Sequence, residues 1–260
     1  MKAPRHPVAS RANAGSGFAR KSWPRRLAIF AALLSGGFLF TFPVDFLVYR
    51  IVQQIDRPVL ERAAEQLSFW GDYWPGSLLV SLLLFIGSLV VKSRRARLAA
   101  LASLLAATVA GLTLDSVRFS VGRPRPYATL AAATLRLGYR PEPKFSFGRT
   151  RPDTHLPDGF YGPLGIHMFQ DFPSGHAASS TATAACVLRL LPEIGIPIGL
   201  LAAAVCWSRL ELRQHYLSDV TVGAIWGTFW GILFGTLFSR GRPISFGEQL
   251  ASRFRNEKNL

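Results

Sequence analysis

Six apolar runs, each bounded by charged or Pro- and Gly-rich sequence, leave this chain few ways to fold. They extend from Leu27 to Val44, Pro75 to Val91, Leu98 to Val117, Gly175 to Leu191, Ile194 to Trp207 and Leu217 to Phe238. A helix needs roughly 20 apolar residues to cross the hydrocarbon core of a bilayer. The runs therefore predict an all-α fold, a six-transmembrane helical bundle. The fifth is the shortest and contains Pro197. A basic stretch before an apolar run is also the pattern of a secretory signal, but no small-x-small cleavage site follows the first run, which reads as an uncleaved span.

The 260 residues are 49% hydrophobic and carry a formal charge of +15. A nucleic-acid binder would line such charge along one polar face. Here the cations cluster between apolar runs, so the charge reads as topology and no nucleic-acid partner is expected. Residues 1–26 hold Lys2, Arg5, Arg11, Arg20, Lys21, Arg25 and Arg26 without an acid, and read as a disordered basic tail. Residues 240–260 form a second basic tail, leaving 27–239 as one membrane domain. The two tails, Lys92 to Arg97 and Arg189 all fall on one side, which the positive-inside rule makes cytoplasmic. The expected location is the cytoplasmic membrane, with Arg118, His176, Arg209 and His215 together at its outer face. Between Asp45 and Tyr73, Val48, Ile51, Val52, Ile55, Val59, Ala63 and Leu67 recur at helical spacing. They predict an extracytoplasmic interfacial helix, or one packed on the end of the bundle, beside an interface belt of Trp70, Tyr73 and Trp74. Tyr127 to Phe172 reads as a long polar connection, an active-site loop. Cys186 and Cys206 lack zinc-site spacing and read as small core residues.

Chemistry concentrates where apolar runs begin or end. In the stretch Ser208 to Asp219, His215 and Asp219 are four residues apart and share a face if a helix begins there. A carboxylate so placed can hold the imidazole in one tautomer. Arg209, six residues earlier, offers a fork suited to phosphate oxygens. Pro173-Ser174-Gly175-His176 opens another run, where free N–H groups and a helix dipole favour an anion. Arg118 and Arg125 complete a cage of cations.

Together these three pieces resemble the signature of the type 2 phosphatidic acid phosphatase superfamily: Lys, six residues, Arg-Pro; then Pro-Ser-Gly-His; then Ser-Arg, five residues, His, three residues, Asp. The second and third match at every specified position, and the first matches in spacing, with Arg118 where the family usually has lysine. The resemblance implies a membrane lipid phosphatase in which His215 attacks phosphorus, Asp219 orients it and His176 protonates the leaving group. Arg118, Arg125, Ser174, Gly175 and Arg209 would bind the phosphate. No carboxylate cluster for a metal is visible in the sequence, and neither metal nor cofactor is expected.

A register using Arg123-Pro124 would put Ser116 at the cation position, so Arg118 with Arg125 is preferred, leaving Arg123 a substrate contact or solvated. Arg136, Arg140, Lys144, Arg149, Arg151 and Arg213 read as solvated or headgroup contacts, His155 and His167 as surface residues. Asp115 is expected to pair with an arginine. Phosphatidic acid, phosphatidylglycerophosphate, undecaprenyl diphosphate and lipid A are the substrates the resemblance implies, and the cationic loop favours a bulky, multiply charged headgroup. Alternatives are a lipid-to-lipid phosphotransferase with the same site and an inactive phosphate-binding scaffold. The soluble haloperoxidases that share the motifs are disfavoured by the apolar runs.

Overall fold

The computed structural model describes residues 15–54, 58–151 and 154–239; the C-terminal tail and residues 1–14 of the N-terminal tail lie outside the described residues. Helices among them are α1 (Gly15–Thr41), α2 (Asp45–Gln54), α3 (Pro58–Gly71), α4 (Leu78–Val90), α5 (Arg94–Val121), α6 (Leu130–Leu137), α7 (Gly175–Leu190), α8 (Pro192–Glu211) and α9 (Leu217–Phe238). Helix α1 begins at Gly15, within the stretch expected to be a disordered tail. Alanine, arginine and lysine are good helix formers, and they extend the helix of the apolar run backwards.

Among the described residues, five stretches are long and apolar enough to cross a membrane: Trp23–Gln54, Tyr73–Val90, Arg94–Val121, Pro192–Glu211 and Leu217–Phe238. The remaining expected span, α7, has only 16 residues, about 24 Å of helix at 1.5 Å per residue. It is rich in Ala, Ser and Thr and packs against α5, α8 and α9.

Those small residues explain the packing. Apolar side chains gain little from leaving lipid for a protein interior, so membrane helices associate where small residues let backbones touch. Ala99, Ala102, Ala106, Ala107 and Ala110 of α5 meet Ala182 and Cys186 of α7, with Trp226, Trp230 and Phe234 of α9 alongside. On α9, Gly223, Gly227, Gly231 and Gly235 recur every four residues and face α7. A Cβ at Gly227 would overlap the Ala178 carbonyl, and one at Gly231 the Ala182 carbonyl. Cys186 is fully buried in this core and Cys206 half-buried, as small apolar residues.

The segment after α1 is two helices rather than one amphipathic helix. Ala64, Ser68 and Gly71 form the buried face of α3, which packs on α8, while Ile51 and Val59 of the expected apolar stripe stay exposed. Close approach explains the choice, since a Cβ at Gly71 would run into Val205.

The 127–172 connection is folded, and it corrects the all-α expectation. It contains α6 and an antiparallel hairpin of β1 (Phe145–Thr150) and β2 (Pro157–Phe160), with Phe145 opposite Phe160 and Thr150 opposite Pro157. Phe145, Phe147 and Phe160 pack on one another, and Phe172 against Phe160. Ala128, Ala133, Leu156, Tyr161 and Phe169 give the loop its own core.

Candidate active site

The ends of α5 and α8 and the starts of α7 and α9 meet at one end of the bundle. Helix α5 delivers Arg118 and stops at Gly122, whose left-handed backbone (φ 63°) and tight approach to the Gly162 carbonyl leave no room for a side chain. The chain then turns through Arg123-Pro124-Arg125. Arg118 Nε donates to the Pro173 carbonyl (3.3 Å), and Nη1 lies 3.2 Å from Asp115, the acid expected to pair with an arginine. Arg125 donates to Gln214 Oε1 (3.1 Å) and to the Gln170 carbonyl (3.3 Å). Arg209, in the last turn of α8, donates to Ser68 Oγ. The hydrogen-bond partners of Arg125 and Arg209 are uncharged, so their positive charge remains to meet an anion.

Ser174 precedes α7, buried, with no partner for its Oγ among the described residues, while its N–H donates to the Asp219 carbonyl (3.0 Å). The missing side chain of Gly175 makes space for the Arg118 guanidinium, which a Cβ there would strike. Because the obstacle is the far end of a flexible side chain, Gly175→Ala is expected to fold normally and to raise KM for a phosphate substrate about tenfold, a loss of roughly 1.4 kcal/mol. Thermal unfolding and steady-state kinetics on the same preparation check this.

His215 sits buried in the turn between α8 and α9, with its N–H donating to the Arg209 carbonyl (3.3 Å). Burial, then Arg125, Arg209 and Arg118, push its imidazole well below the usual pKa, so it is neutral and carries a lone pair. His176, in the first turn of α7, is close enough to feel His215 and the same three arginines. Its Nε2 lies 3.7 Å from Asp72 Oδ2, and Asp72 itself is fixed by accepting the Tyr73 N–H (2.7 Å). The expected cage and both histidines thus come together, from segments up to a hundred residues apart.

A second carboxylate besides Asp219 lies close to His215. Asp171 Oδ1 lies 2.6 Å from His215 Nδ1. Asp219 instead accepts from Arg123 Nη1 (2.6 Å) and from the Tyr216 N–H (2.8 Å), capping its own helix. Arg123 is neither a substrate contact nor solvated. Fully buried, it donates to Ser218 Oγ (2.8 Å), Asp219 and Asp45 Oδ2 (2.9 Å), lies 3.7 Å from Asp158, and stacks over Tyr216. Asp45 also accepts the Ser218 N–H (2.8 Å) and hydroxyl (2.6 Å), which pins α2 to the start of α9. Arg149, expected to be solvated, donates to Asp158 (2.7 Å) and lies over the Phe42 and Phe46 rings. Arg151, also expected at the surface, is buried and donates to the carbonyls of Pro124 and Arg125. Arg213 reaches Glu61 (3.2 Å). Arg136, Arg140 and Lys144 remain exposed.

His167 is closer to the chemistry than a surface histidine. Tyr127 Oη lies 3.3 Å from its Nδ1, and burial together with Arg125, Arg118 and Arg209 lowers its pKa. The His155 N–H donates to the Arg151 carbonyl (3.2 Å). Asp171, His215 and Asp219 each place one donor atom within 4.8 Å of the others, a carboxylate–histidine cluster the sequence did not reveal. The Asp219 oxygens are turned to Arg123 and the Tyr216 N–H, and five arginines surround the cluster, so a dication there would meet strong repulsion. Sequence spacing missed Asp171, Asp72 and Asp45. The signal for Asp171 was an acid two residues before Pro173, in an otherwise uncharged approach to the helix.

The PAP2 superfamily model matches residues 127–242, a segment holding the loop and the second and third motifs. This part of the chain is similar to the PAP2 superfamily. A lipid A 1-phosphatase of Rhizobium johnstonii is 31% identical over 100 residues, 37% of this chain and 41% of that one. The match therefore spans about two fifths of the length of that relative. Among solved structures, a transmembrane PAP2-type phosphatidylglycerolphosphate phosphatase of Bacillus subtilis is similar in fold, with a TM-score of 0.51 and 19% identity over 85% of this chain and 97% of that one. Aquifex aeolicus LpxE aligns with a TM-score of 0.45 at 21% identity, over 76% and 95% of the two chains.

Proposed function

We propose that the protein hydrolyses a lipid phosphomonoester or diphosphate through a phosphohistidine. One observation carries this reading: a buried, neutral His215 at the focus of Arg118, Arg125 and Arg209, with His176 at a helix N-terminus beside it. Phosphate transfer needs positioned donors for non-bridging oxygens, a nucleophile and a proton donor. The arginines, Ser174 Oγ and the first N–H groups of α7 are the oxygen donors. His215 Nε2 forms a P–N bond as the P–O bond to the lipid breaks, and His176 gives its proton to the departing oxygen. Water then attacks phosphorus, its proton passing to His176 as the P–N bond breaks, and phosphate leaves with both histidines restored.

No metal enters these steps. The arginines supply the charge neutralisation that a dication would supply elsewhere. The outer face of the cytoplasmic membrane is supported by the basic clusters Lys92 to Arg97 and Arg189, which lie at the opposite end of the bundle from the site. A lipid A or lipid diphosphate substrate is supported by the Rhizobium relative and by the exposed Arg136, Arg140 and Lys144.

The test is phosphate release by detergent-solubilised protein from phosphatidate, a polyprenyl diphosphate and lipid A in excess chelator, with products weighed by mass spectrometry. Release that survives chelation and is fastest on a multiply charged lipid is expected. Dependence on added divalent metal overturns the metal-free mechanism, and action on phosphatidate alone overturns the substrate class. A heavier lipid product without free phosphate overturns hydrolysis in favour of transfer.

A further inference from the structure

We infer that the groove between α1 and α9 binds one anionic membrane phospholipid, its acyl chain lying in the groove and its headgroup at Arg26, at the end of the bundle away from the candidate active site. The two helices run antiparallel and touch at two levels. A Cβ at Gly37 would strike Ile225, and nearer the start of α1 Phe30 stacks on Phe229 with ring centroids 4.0 Å apart. From Leu33 back to Trp23 a groove of about 470 Å³ runs between them, walled by Ile29, Phe30 and Leu33 of α1 and by Ile225, Phe229 and Ile232 of α9. Ile29, Leu33 and Ile232 are half-exposed, and both helices lie in stretches able to cross a membrane, so the open side of the groove faces acyl chains.

Length, polarity and charge choose the occupant. The groove follows α1 over residues 23–33, roughly 15 Å at 1.5 Å per residue, which is half of the roughly 30 Å hydrocarbon core and so the depth of one leaflet. One end carries Trp23 and Arg26, and the other closes on Leu33, Ala224 and Ile225. An indole and a guanidinium at the end of an apolar trough match the level of a headgroup. Arg26 is exposed, α1 carries no acid, and α9 has none after Asp219 at its opposite end. An anionic phosphodiester supplies the missing counter-charge. A second copy fits less well, because a dimer with both copies in one orientation has its two-fold axis along the membrane normal, and Arg26 would meet Arg26. An occupied groove also braces α1, whose packing on other helices is chiefly on α9. The chain continues from α1 into α2, where Asp45 holds Arg123 and the start of α9. Bound lipid should therefore raise the unfolding temperature.

In the experiment, full-length protein in detergent is titrated with dioleoyl phosphatidylglycerol or dioleoyl phosphatidylcholine, bound lipid is counted by native mass spectrometry, and thermal unfolding is followed on the same samples. One phosphatidylglycerol per chain should be retained, with an affinity about fivefold above that of phosphatidylcholine, the ratio for one arginine at a headgroup. Arg26→Gln should bring the two lipids to within about twofold of each other, whereas Arg25→Gln, outside the groove wall, should keep the preference. Ile232→Trp, which fills the groove from its exposed wall, should lose this lipid and the lipid-dependent rise in unfolding temperature. The proposal is overturned if the two lipids bind alike, if Arg25→Gln and Arg26→Gln reduce the preference equally, or if Ile232→Trp binds phosphatidylglycerol like the native protein. A lipid-free dimer that Ile232→Trp splits into monomers also overturns it and makes a second copy the occupant. Phosphate release enters none of these readouts, so failure here leaves the phosphatase reading standing.

Discussion

His215→Ala will lose phosphate release by at least about 10³-fold, since the loss of a covalent nucleophile leaves only binding and electrostatic stabilisation. The protein should still fold. Its side chain lies against Asp171, and Arg125 continues to offset the charge of that carboxylate. The N–H that anchors the turn to the Arg209 carbonyl belongs to the backbone and survives the substitution. The cage of Arg118, Arg125 and Arg209 is likewise intact, so the variant should still bind inorganic phosphate. Phosphate release, phosphate binding by calorimetry and thermal unfolding on one preparation separate these quantities. A variant that binds and turns over like the native protein rules out His215 as the nucleophile. One that fails to fold is replaced by His215→Asn, which keeps a polar side chain of similar size.

Arg123→Ala should do the reverse and cost the fold before the chemistry. Burial works against the charge of this guanidinium, yet Asp219, Asp158 and Asp45 hold its pKa well above the ordinary value. Deleting one member of a buried charge network leaves the others unpaired, and the penalty is typically about 3–5 kcal/mol. Here three carboxylates on separate elements lose their common partner, and α2, β2 and α9 lose the tie that joins them. Arg123→Lys should not rescue, because one ammonium cannot reproduce donors from two nitrogens to Asp45, Ser218 and Asp219. Yield of monodisperse protein and unfolding temperature in detergent are the readouts. A stable Arg123→Ala protein with only a raised KM would return Arg123 to the substrate.

This contrast shows what residue spacing can and cannot reveal. Arg118, Ser174, His176, Arg209 and His215 were legible because each stands at a fixed distance from the end of an apolar run, and those ends converge. Arg123 and Arg125 stand two residues apart in one Arg-Pro-Arg-Pro stretch, and nothing local distinguishes the buried strut from the cage residue. Their roles depend on Asp45, 78 residues earlier, and on Gln214, 89 residues later. The hairpin was hidden because Gly148, with φ 69°, interrupts the strand pattern between Ser146 and Thr150. Asp171 was hidden for a further reason: helical spacing nominates Asp219 as the partner of His215, and only the folded loop brings a competitor to the ring.

The glycine row on α9 has a consequence for reaction distance. His176 lies at the start of α7 and His215 just before α9, so the proposed acid and nucleophile stand on the tops of the two columns that this row holds together. The spacing between the two rings is thereby set along a seam that continues to Gly235, about five turns below the start of α9. A slip of one helical turn, about 5.4 Å, would carry the two rings out of step. The seam acts as a ruler whose divisions are the backbone carbonyls of α7.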